Sequence, residues 1–255
     1  MATESLPKLD TEALAKLAAE LTLGCRILAE QEIIDAFGQF SARVPGADGL
    51  FMINRGMSPA LVEPNDFIVC DLDGKIVHGS GHVNSEWPIH ACIYRARGDV
   101  ASILHSHNRL SRIFSLSRNK LRGLLTSSGP EWQEGLPLYR APGLITSMER
   151  GNKLAGVLGD KSAVLLRGHG DVIATNGIRR TVMKAITLRQ NADVLHEAIS
   201  HGGEIDLWSE DDLTTWADTQ IKGMSLENMA ALAARTWDYY VARVDGRLAR
   251  LLNKI

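Results

Sequence analysis

The chain has 255 residues, of which 45% are hydrophobic and 23% are charged, with a formal net charge of −2. This composition is typical of a globular protein and has no basic excess, so we expect no nucleic-acid partner. No apolar stretch approaches the roughly 20 residues of a membrane span, and the N-terminus lacks the pattern of a signal peptide. Isolated cysteines without a CxxC spacing favour buried free thiols, so we predict a cytoplasmic protein.

The first part of the chain predicts a helix followed by two hairpins. Residues 1–8 are expected to form a flexible tail. Apolar spacing predicts a helix that is capped by Asp10 or Thr11 and ends near Ala29. The stretch "GQFSARV" alternates like a strand and is expected to pair with "LFMIN" after a glycine-containing turn. The stretch "DFIVCDLDGKIVHG" predicts a second hairpin around an Asp-Gly turn.

The middle of the chain predicts a helix, a buried strand and a glycine-rich turn. "SEWPIHACIYRAR" predicts a helix with Ser85 as its N-cap, and "DVASILHSH" predicts a strand that ends in two histidines. "RLSRIFSLSR" predicts another helix, whereas residues 118–150 are rich in Gly, Pro and Ser and are expected to be irregular. "SAVLLRGHGDVIATNG" predicts two strands around a Gly-His-Gly turn.

Most of the remaining chain is expected to be helical. One helix is predicted for about 178–201, and a later one has apolar residues at helical spacing at Trp237, Tyr240, Val241, Val244 and Leu248. Hairpins separated by helices, without regular β-α alternation, predict an α/β fold that is not doubly wound. No linker divides the chain, so we expect a single domain over 9–255.

Three histidines and a glutamate are candidates for a metal site. His105 and His107 lie two apart at a strand end, so their rings project from one face and could converge on a cation. This pair alone is weak evidence, because strand-end histidines are often ordinary polar residues. His169 lies between two glycines after a strand, where packing explains it poorly, although a turn histidine bonded to a backbone carbonyl is the alternative. Three imidazoles leave coordination positions open, as in catalytic metal sites.

Glu86 opens the helix that precedes the histidine strand. A carboxylate in a first helical turn is often only a partner for the helix dipole. It could equally point into a site at the strand end, as a proton shuttle or as a fourth ligand. Imidazole ligands suit several first-row ions, so the expected cofactor is one divalent transition metal per subunit, Mn, Zn, Co or Fe.

With these motifs in order, the sequence resembles the class II aldolase/adducin family over about residues 12–200. The family pattern of Ser-Ser-Glu, helix, His-x-His and a distant Gly-His-Gly is matched by "NSEWPIH", "HSH" and "RGHG", and "GQFSAR" matches a further motif. The resemblance implies a three-layer α/β/α fold with a central, mainly antiparallel sheet, and a homotetramer with interfacial active sites. It also implies His105, His107 and His169 as metal ligands and Glu86 as the acid/base.

The anion-binding motifs of the family's sugar-phosphate members are altered here. Those members bind phosphate through Gly-Asn, Thr-Gly and Ser-Ser pairs. In place of Thr-Gly, this chain has Arg55 before Gly56. The planar guanidinium of Arg55 suits a carboxylate, but it also suits phosphate, and Arg55 could instead be a surface turn residue. The expected substrate-binding residues at these positions are Gln39, Arg55, Gly56, Asn84 and Ser85.

Other residues have both a functional and a structural interpretation. Aldolases and epimerases of the family use tyrosines from late in the chain, so Tyr239 could act across a subunit interface. Tyr240 could do so too, although it fits the packing face of its helix equally well. His82, His90 and Asn108 could orient a ligand or the substrate, or could be structural polar residues.

We therefore predict a metal-dependent carbon–carbon lyase acting on a small carboxylate. The family includes decarboxylases of hydroxylated aromatic or pyridine dicarboxylates, such as 3-hydroxy-2-methylpyridine-4,5-dicarboxylate decarboxylase and dihydroxyphthalate decarboxylase. The altered phosphate motif favours decarboxylation of an ortho-hydroxy aromatic or pyridine acid, with charge held as a metal-stabilised enolate or phenolate and a proton delivered by Glu86. The alternative is an aldolase or epimerase acting on a sugar phosphate or other hydroxy-ketone. A non-enzymatic scaffold is disfavoured because the metal residues are present.

Overall fold

A computed structural model describes residues 9–128, 130–202 and 204–244. The expected tail and Leu248 lie outside these residues, and the single domain over 9–255 stays a prediction. The helices are α1 (Thr11–Glu30), α2 (Trp87–Ala96), α3 (Arg109–Leu116), α4 (Met148–Leu158), α5 (Ile178–Ser200), α6 (Glu210–Ala217) and α7 (Leu226–Val244). The strands are β1 (Gln39–Arg43), β2 (Leu50–Asn54), β3 (Phe67–Asp71), β4 (Ile76–His78), β5 (Ser102–Ser106), β6 (Leu138–Tyr139), β7 (Ala163–Leu166) and β8 (Gly170–Thr175).

The eight strands form one sheet in the order β4-β3-β2-β1-β5-β8-β7-β6. Every neighbouring pair is antiparallel except β6 and β7, which are parallel. The histidine strand β5 therefore lies inside the sheet, between β1 and β8. Its register places His105 opposite Gln39 on one side and opposite Val172 on the other.

Apolar residues cover both faces of the sheet because successive strand residues point to opposite sides. In β5, Leu104 joins a cluster with residues of α1, α3, α5 and α7, whereas Ile103 joins a cluster with residues of α2 and α4. The structure thus confirms the predicted three-layer α/β/α fold with a central, mainly antiparallel sheet. Among the described helices, none is both long and apolar enough to cross a membrane.

Short polar side chains cap helices α1 and α3, whereas the cap predicted for α2 is wrong. The Asp10 carboxylate accepts from the backbone N–H groups of Glu12 and Ala13, which confirms one of the two caps predicted for α1. Ser85 does not cap α2, because the helix begins one residue later than predicted and Glu86 takes the N-cap position without bonding to the helix. Asn108 caps α3 by accepting from the backbone of Leu110.

Helix α4 and strand β6 were not predicted, and both fall at least partly in the region expected to be irregular. Ser147 caps α4 by accepting from the backbone N–H of Arg150. The buried face of α4 packs on α2, and β6 adds the parallel edge strand. The cysteines are all free and buried, as predicted: Cys25, Cys70 and Cys92.

Removal of a buried side chain from α4 should destabilise the protein. Leu154 is fully buried against the α2 layer, whereas Val157 on the same helix is 39% exposed. We expect Leu154→Ala to lower the free energy of unfolding by about 2–5 kcal/mol, because it removes buried apolar atoms and leaves a cavity. Val157→Ala is the matched control and should cost less than about 1 kcal/mol. Chemical denaturation of both variants measures the difference, and equal values would contradict the packing of α4.

Candidate metal centre

Four side chains converge at one end of β5. Glu86, His105, His107 and His169 each offer a ligand atom, and these atoms lie within 4.8 Å of one another. The ring centroids of His107 and His169 are both close to that of His105, at 5.1 and 4.8 Å. The structure thus brings together the three histidines and the glutamate that the sequence predicted.

The pairing of β5 with β8 positions the third histidine. His169 lies in the turn between β7 and β8, and its backbone N–H donates to the backbone carbonyl of Leu166 at 3.0 Å. Gly170 follows it, and a Cβ at this position would lie only 2.0 Å from the carbonyl oxygen of Ser106. Only glycine allows the turn to approach the end of β5 this closely.

One hydrogen bond sets the orientation of the His105 ring. The Nδ1–H of His105 donates to the backbone carbonyl of Asp171 at 2.8 Å, which leaves Nε2 as the lone-pair nitrogen. That Nε2 lies 3.5 Å from Glu86 Oε2, and the Nε2 of His169 lies at the same distance from the same oxygen. The geometry directs two imidazole nitrogens and one carboxylate oxygen to a common point.

Four ring nitrogens of the cluster are buried and have no hydrogen-bond partner among the described residues. This holds for the Nε2 atoms of His105 and His107 and for both ring nitrogens of His169. Buried polar atoms are normally hydrogen-bonded, so four orphaned nitrogens in one cluster call for an explanation. A divalent transition metal fits this donor set of three imidazoles and a carboxylate, because imidazole suits zinc, manganese, iron and cobalt.

Glu86 enters the centre from the helical layer. Its carboxylate is buried, and Oε1 accepts from the backbone N–H of Ile145 at 2.8 Å, so Oε2 faces the histidines. Burial raises the pKa of Glu86, but contacts with His105 and His169 and the Ile145 N–H together outweigh it, and the pKa falls well below its usual range. For His107, burial is the largest effect and lowers the pKa to about 4.

A cavity of about 710 Å³, which we call the metal cavity, opens onto the cluster. Of the predicted substrate-binding residues, Gln39, Asn84 and Ser85 line it together with Glu86, His107 and His169. Gln39 is buried, and its Oε1 has no hydrogen-bond partner among the described residues. Gly56 lies in an adjoining cavity of about 400 Å³ that shares Asn84 and Ser85.

Arg55 and Tyr239 are not brought to this cavity in the described chain. The guanidinium of Arg55 forms an ion pair with Asp66 at 2.6 Å, and the backbone N–H of Arg55 donates to the carbonyl of the same residue. The register of β2 and β3 explains this pair, because Asn54 is opposite Phe67 and the next residues therefore meet. Tyr239 is 55% exposed on α7, so its action across a subunit interface stays a prediction.

Of the remaining residues that had both a functional and a structural interpretation, two are structural and one lines a cavity. Tyr240 packs in the core and accepts from Gln190, as the structural interpretation predicted. His90 is buried with its Nδ1 bonded to Ser41 at 2.7 Å, and it does not line the cavity. His82 lines the adjoining cavity beside Gly56.

Several residues that line the cavity were not identified from the sequence, and four of them have large side chains. Arg112 and Arg167 bring two guanidinium groups to the cavity, and Phe37 and Leu144 bring apolar side chains that are 65% and 53% exposed. The Phe37 ring centroid lies 5.7 Å from that of His107. Arg167 could have been found, because it directly precedes the Gly-His-Gly turn. Arg112 reaches the site only through the packing of α3.

Comparison with known proteins identifies the family. Residues 19–196 match the model described as Class II Aldolase and Adducin N-terminal domain. A 3,4-dihydroxyphthalate decarboxylase from Arthrobacter keyseri is 26% identical over 238 residues, which cover 88% of this chain and 92% of that protein. The L-fuculose phosphate aldolase of Methanocaldococcus jannaschii is 28% identical over 171 residues, covering 66% of this chain and 89% of that protein.

A solved structure supports the same fold. The crystal structure of an aldolase II superfamily protein from Pseudomonas syringae matches with a TM-score of 0.78 at 23% identity. The match covers 94% of this chain and 95% of that one. At this identity the likeness shows the three-layer fold.

Loss of two ligand histidines should abolish metal binding. We expect the wild-type protein to hold about one divalent transition ion per chain, and His105→Ala/His107→Ala to hold almost none. His78→Ala removes an exposed histidine outside the cluster and is the control. Elemental analysis gives the stoichiometry, and added metal should raise the melting temperature of the wild type but not of the double variant. Equal metal content in the double variant and the wild type would exclude this centre.

A methyl group at Gly170 should disrupt the centre. Its Cβ would overlap the Ser106 carbonyl, which is backbone and cannot rotate away. We expect Gly170→Ala to lower the free energy of unfolding by more than about 2 kcal/mol and to reduce metal content. Gly177→Ala is the matched control, because its Cβ would meet no atom within 4 Å. Thermal unfolding and elemental analysis compare the two, and a tolerated Gly170→Ala would contradict the close approach.

Proposed function

This chain belongs to the class II aldolase and adducin family, and from that membership we propose that it is a metal-dependent carbon–carbon lyase that decarboxylates an ortho-hydroxy aromatic or pyridine acid. The observation that carries this proposal is the cluster of Glu86 with three histidines, in which four buried ring nitrogens lack a hydrogen-bond partner among the described residues. Relatives named as decarboxylases and as aldolases agree with a lyase.

The cluster supplies the parts that such a reaction needs. A divalent ion held by His105, His107 and His169 would act as a Lewis acid that withdraws negative charge from an oxygen of the substrate. Glu86 lies beside this point. Its low pKa keeps it a carboxylate, so it can take the proton of the substrate's hydroxyl group and pass that proton to the ring carbon that carries the departing carboxylate. A carbon–hydrogen bond forms, the bond to the carboxylate breaks, and its electron pair restores the aromatic ring as CO2 leaves. Glu86 is then a carboxylate again, and the hydroxyl oxygen of the product regains its proton from water.

The cavity walls support an aromatic acid as the substrate. Phe37 and Leu144 are exposed apolar side chains at the cavity, and a planar ring could cover both of them. Arg112 and Arg167 supply positive charge that suits carboxylates. A decarboxylase acting on 3,4-dihydroxyphthalate among the relatives agrees with this substrate class.

An aldolase acting on a sugar phosphate or other hydroxy-ketone is the second candidate. The adjoining cavity contains Gly56 and shares Asn84 and Ser85 with the metal cavity, at positions where the sugar-phosphate members bind phosphate. The relative from Methanocaldococcus jannaschii is named as such an aldolase. The same ion and Glu86 would serve either reaction.

The finer expectations from the sequence remain part of this proposal. They are a homotetramer with interfacial sites to which Tyr239 contributes, a cytoplasmic location, and manganese, zinc, cobalt or iron as the metal. The exposure of Tyr239 is compatible with a contact to another subunit. The donor set accepts each of these ions.

Metal-loaded protein should release CO2 from hydroxylated aromatic dicarboxylates. We expect activity with 3-hydroxyphthalate or a dihydroxyphthalate, and loss of this activity on chelation. Glu86→Gln should keep the metal on three imidazoles and lower kcat by about 10²–10⁴-fold, because the amide cannot deliver the proton. CO2 release measures kcat, and elemental analysis of the same samples measures the metal content. Cleavage of a sugar phosphate, with every aromatic acid inert, would replace the decarboxylase by the aldolase candidate.

A further inference from the structure

Two arginines face the metal cavity without an acidic partner. Arg112 and Arg167 both line it, and neither forms a salt bridge with an acidic residue in the described part of the chain. Arg55 differs, because Asp66 already neutralises it. A guanidinium that lines a cavity without a counter-ion is available to an anionic ligand.

Arg112 is the better positioned of the two. Its Nε donates to the backbone carbonyl of His169 at 3.0 Å, and its side chain is half-buried. This bond uses only one of the guanidinium's N–H groups, so the terminal nitrogens keep their donors for a ligand. Arg167 is exposed at the same wall. Its backbone N–H donates to the carbonyl of Tyr139, but its side chain forms no hydrogen bond among the described residues. Arg112 therefore loses less conformational entropy when it binds an anion.

The other charges of the cavity favour a ligand with two negative charges. The acidic residues in the lining are Glu86, which faces the histidines, and Asp35, which is exposed and accepts from the backbone N–H of Phe37 at 2.9 Å. The two arginines and a divalent ion together outweigh these two carboxylates and that of the buried Asp171, which interacts with the charge of Arg112. A substrate whose hydroxyl and neighbouring carboxylate face the ion would still have positive charge beside its ring.

We propose that Arg112 binds a second carboxylate of the substrate, separate from the carboxylate at the ion, and thereby selects dicarboxylates over monocarboxylates. This proposal rests on the proposed function, because it assumes an acid that occupies the metal cavity. It assigns to Arg112 the anion-binding role that the sequence suggested for Arg55. Arg112 is then a specificity-determining residue that contacts the substrate.

The contact between Arg112 and His169 gives the arginine a structural role as well, so the test must separate the two. Salicylate and 3-hydroxyphthalate are suitable probes, since both have a hydroxyl beside a carboxylate and they differ only by the second carboxylate. A variant that still binds salicylate has an intact metal cavity. Elemental analysis of each variant provides an independent check.

The experiment measures the affinity of both probes for the zinc-loaded protein by calorimetry, with CO2 release followed in parallel. We expect the wild type to bind 3-hydroxyphthalate more tightly than salicylate. Arg112→Gln should weaken 3-hydroxyphthalate binding about 10- to 100-fold and salicylate binding less than about 3-fold. Arg112→Lys should recover part of the preference, because it restores the charge without the planar fork. Arg109→Gln, on the same helix and exposed, is the matched control and should change neither affinity.

Several results would overturn the proposal. Equal weakening of both probes by Arg112→Gln, with loss of metal, would assign Arg112 only to support of the turn. An unchanged preference in Arg112→Gln, or loss of preference in Arg55→Gln instead, would exclude it as the carboxylate site, as would failure of the wild type to bind 3-hydroxyphthalate. CO2 release without any dependence on Arg112 would leave the decarboxylase function intact. An Arg112-dependent preference without CO2 release from any acid would support this site and contradict the function.

Discussion

The antiparallel pairing of β5 with β8 is the constraint on which the cluster of Glu86 and three histidines depends. It places Ser106 opposite Asp171, so the Gly-His-Gly turn lies directly beside the end of the histidine strand. The same pairing brings the Asp171 carbonyl to Nδ1 of His105 and fixes which nitrogen faces the cluster. The sheet thus supplies the position of the histidines, and a backbone group of the sheet orients the ring of His105. Only Glu86 comes from the helical layer.

The sequence predicted that these four side chains come together, because the positions of the histidines follow local rules. Histidines two apart on a strand share a face, and a histidine between glycines lies in an open turn. The arginines were harder to predict. Arg55 was assigned to the substrate from its place in a motif, but the hairpin register pairs it with Asp66, which the strand boundaries could have indicated. Arg112 depends on how α3 packs on the sheet, and no local pattern contains that information.

Helix α4 shows why local patterns failed elsewhere. Its sequence includes Gly151, which disfavours a helix by about 1 kcal/mol relative to alanine. In the fold this glycine is needed, because a Cβ would lie 2.6 Å from the carbonyl oxygen of Pro88 and equally close to Sγ of Cys92. Close packing of α4 on α2 therefore outweighs the weak local preference. Gly151 therefore disfavours the helix in isolation but allows it to pack closely on α2 in the fold.

The hydrogen bond from Ile145 to Glu86 couples the cavity entrance to the chemistry. Leu144, the neighbouring residue, is an exposed apolar side chain of the entrance, and its backbone is continuous with the N–H that orients the carboxylate. A displacement of this segment that widened the entrance would also remove the anchor of Oε1 and release the carboxylate from its alignment. Two adjacent residues therefore serve both purposes: Leu144 forms part of the cavity wall, and Ile145 holds the Glu86 carboxylate in place.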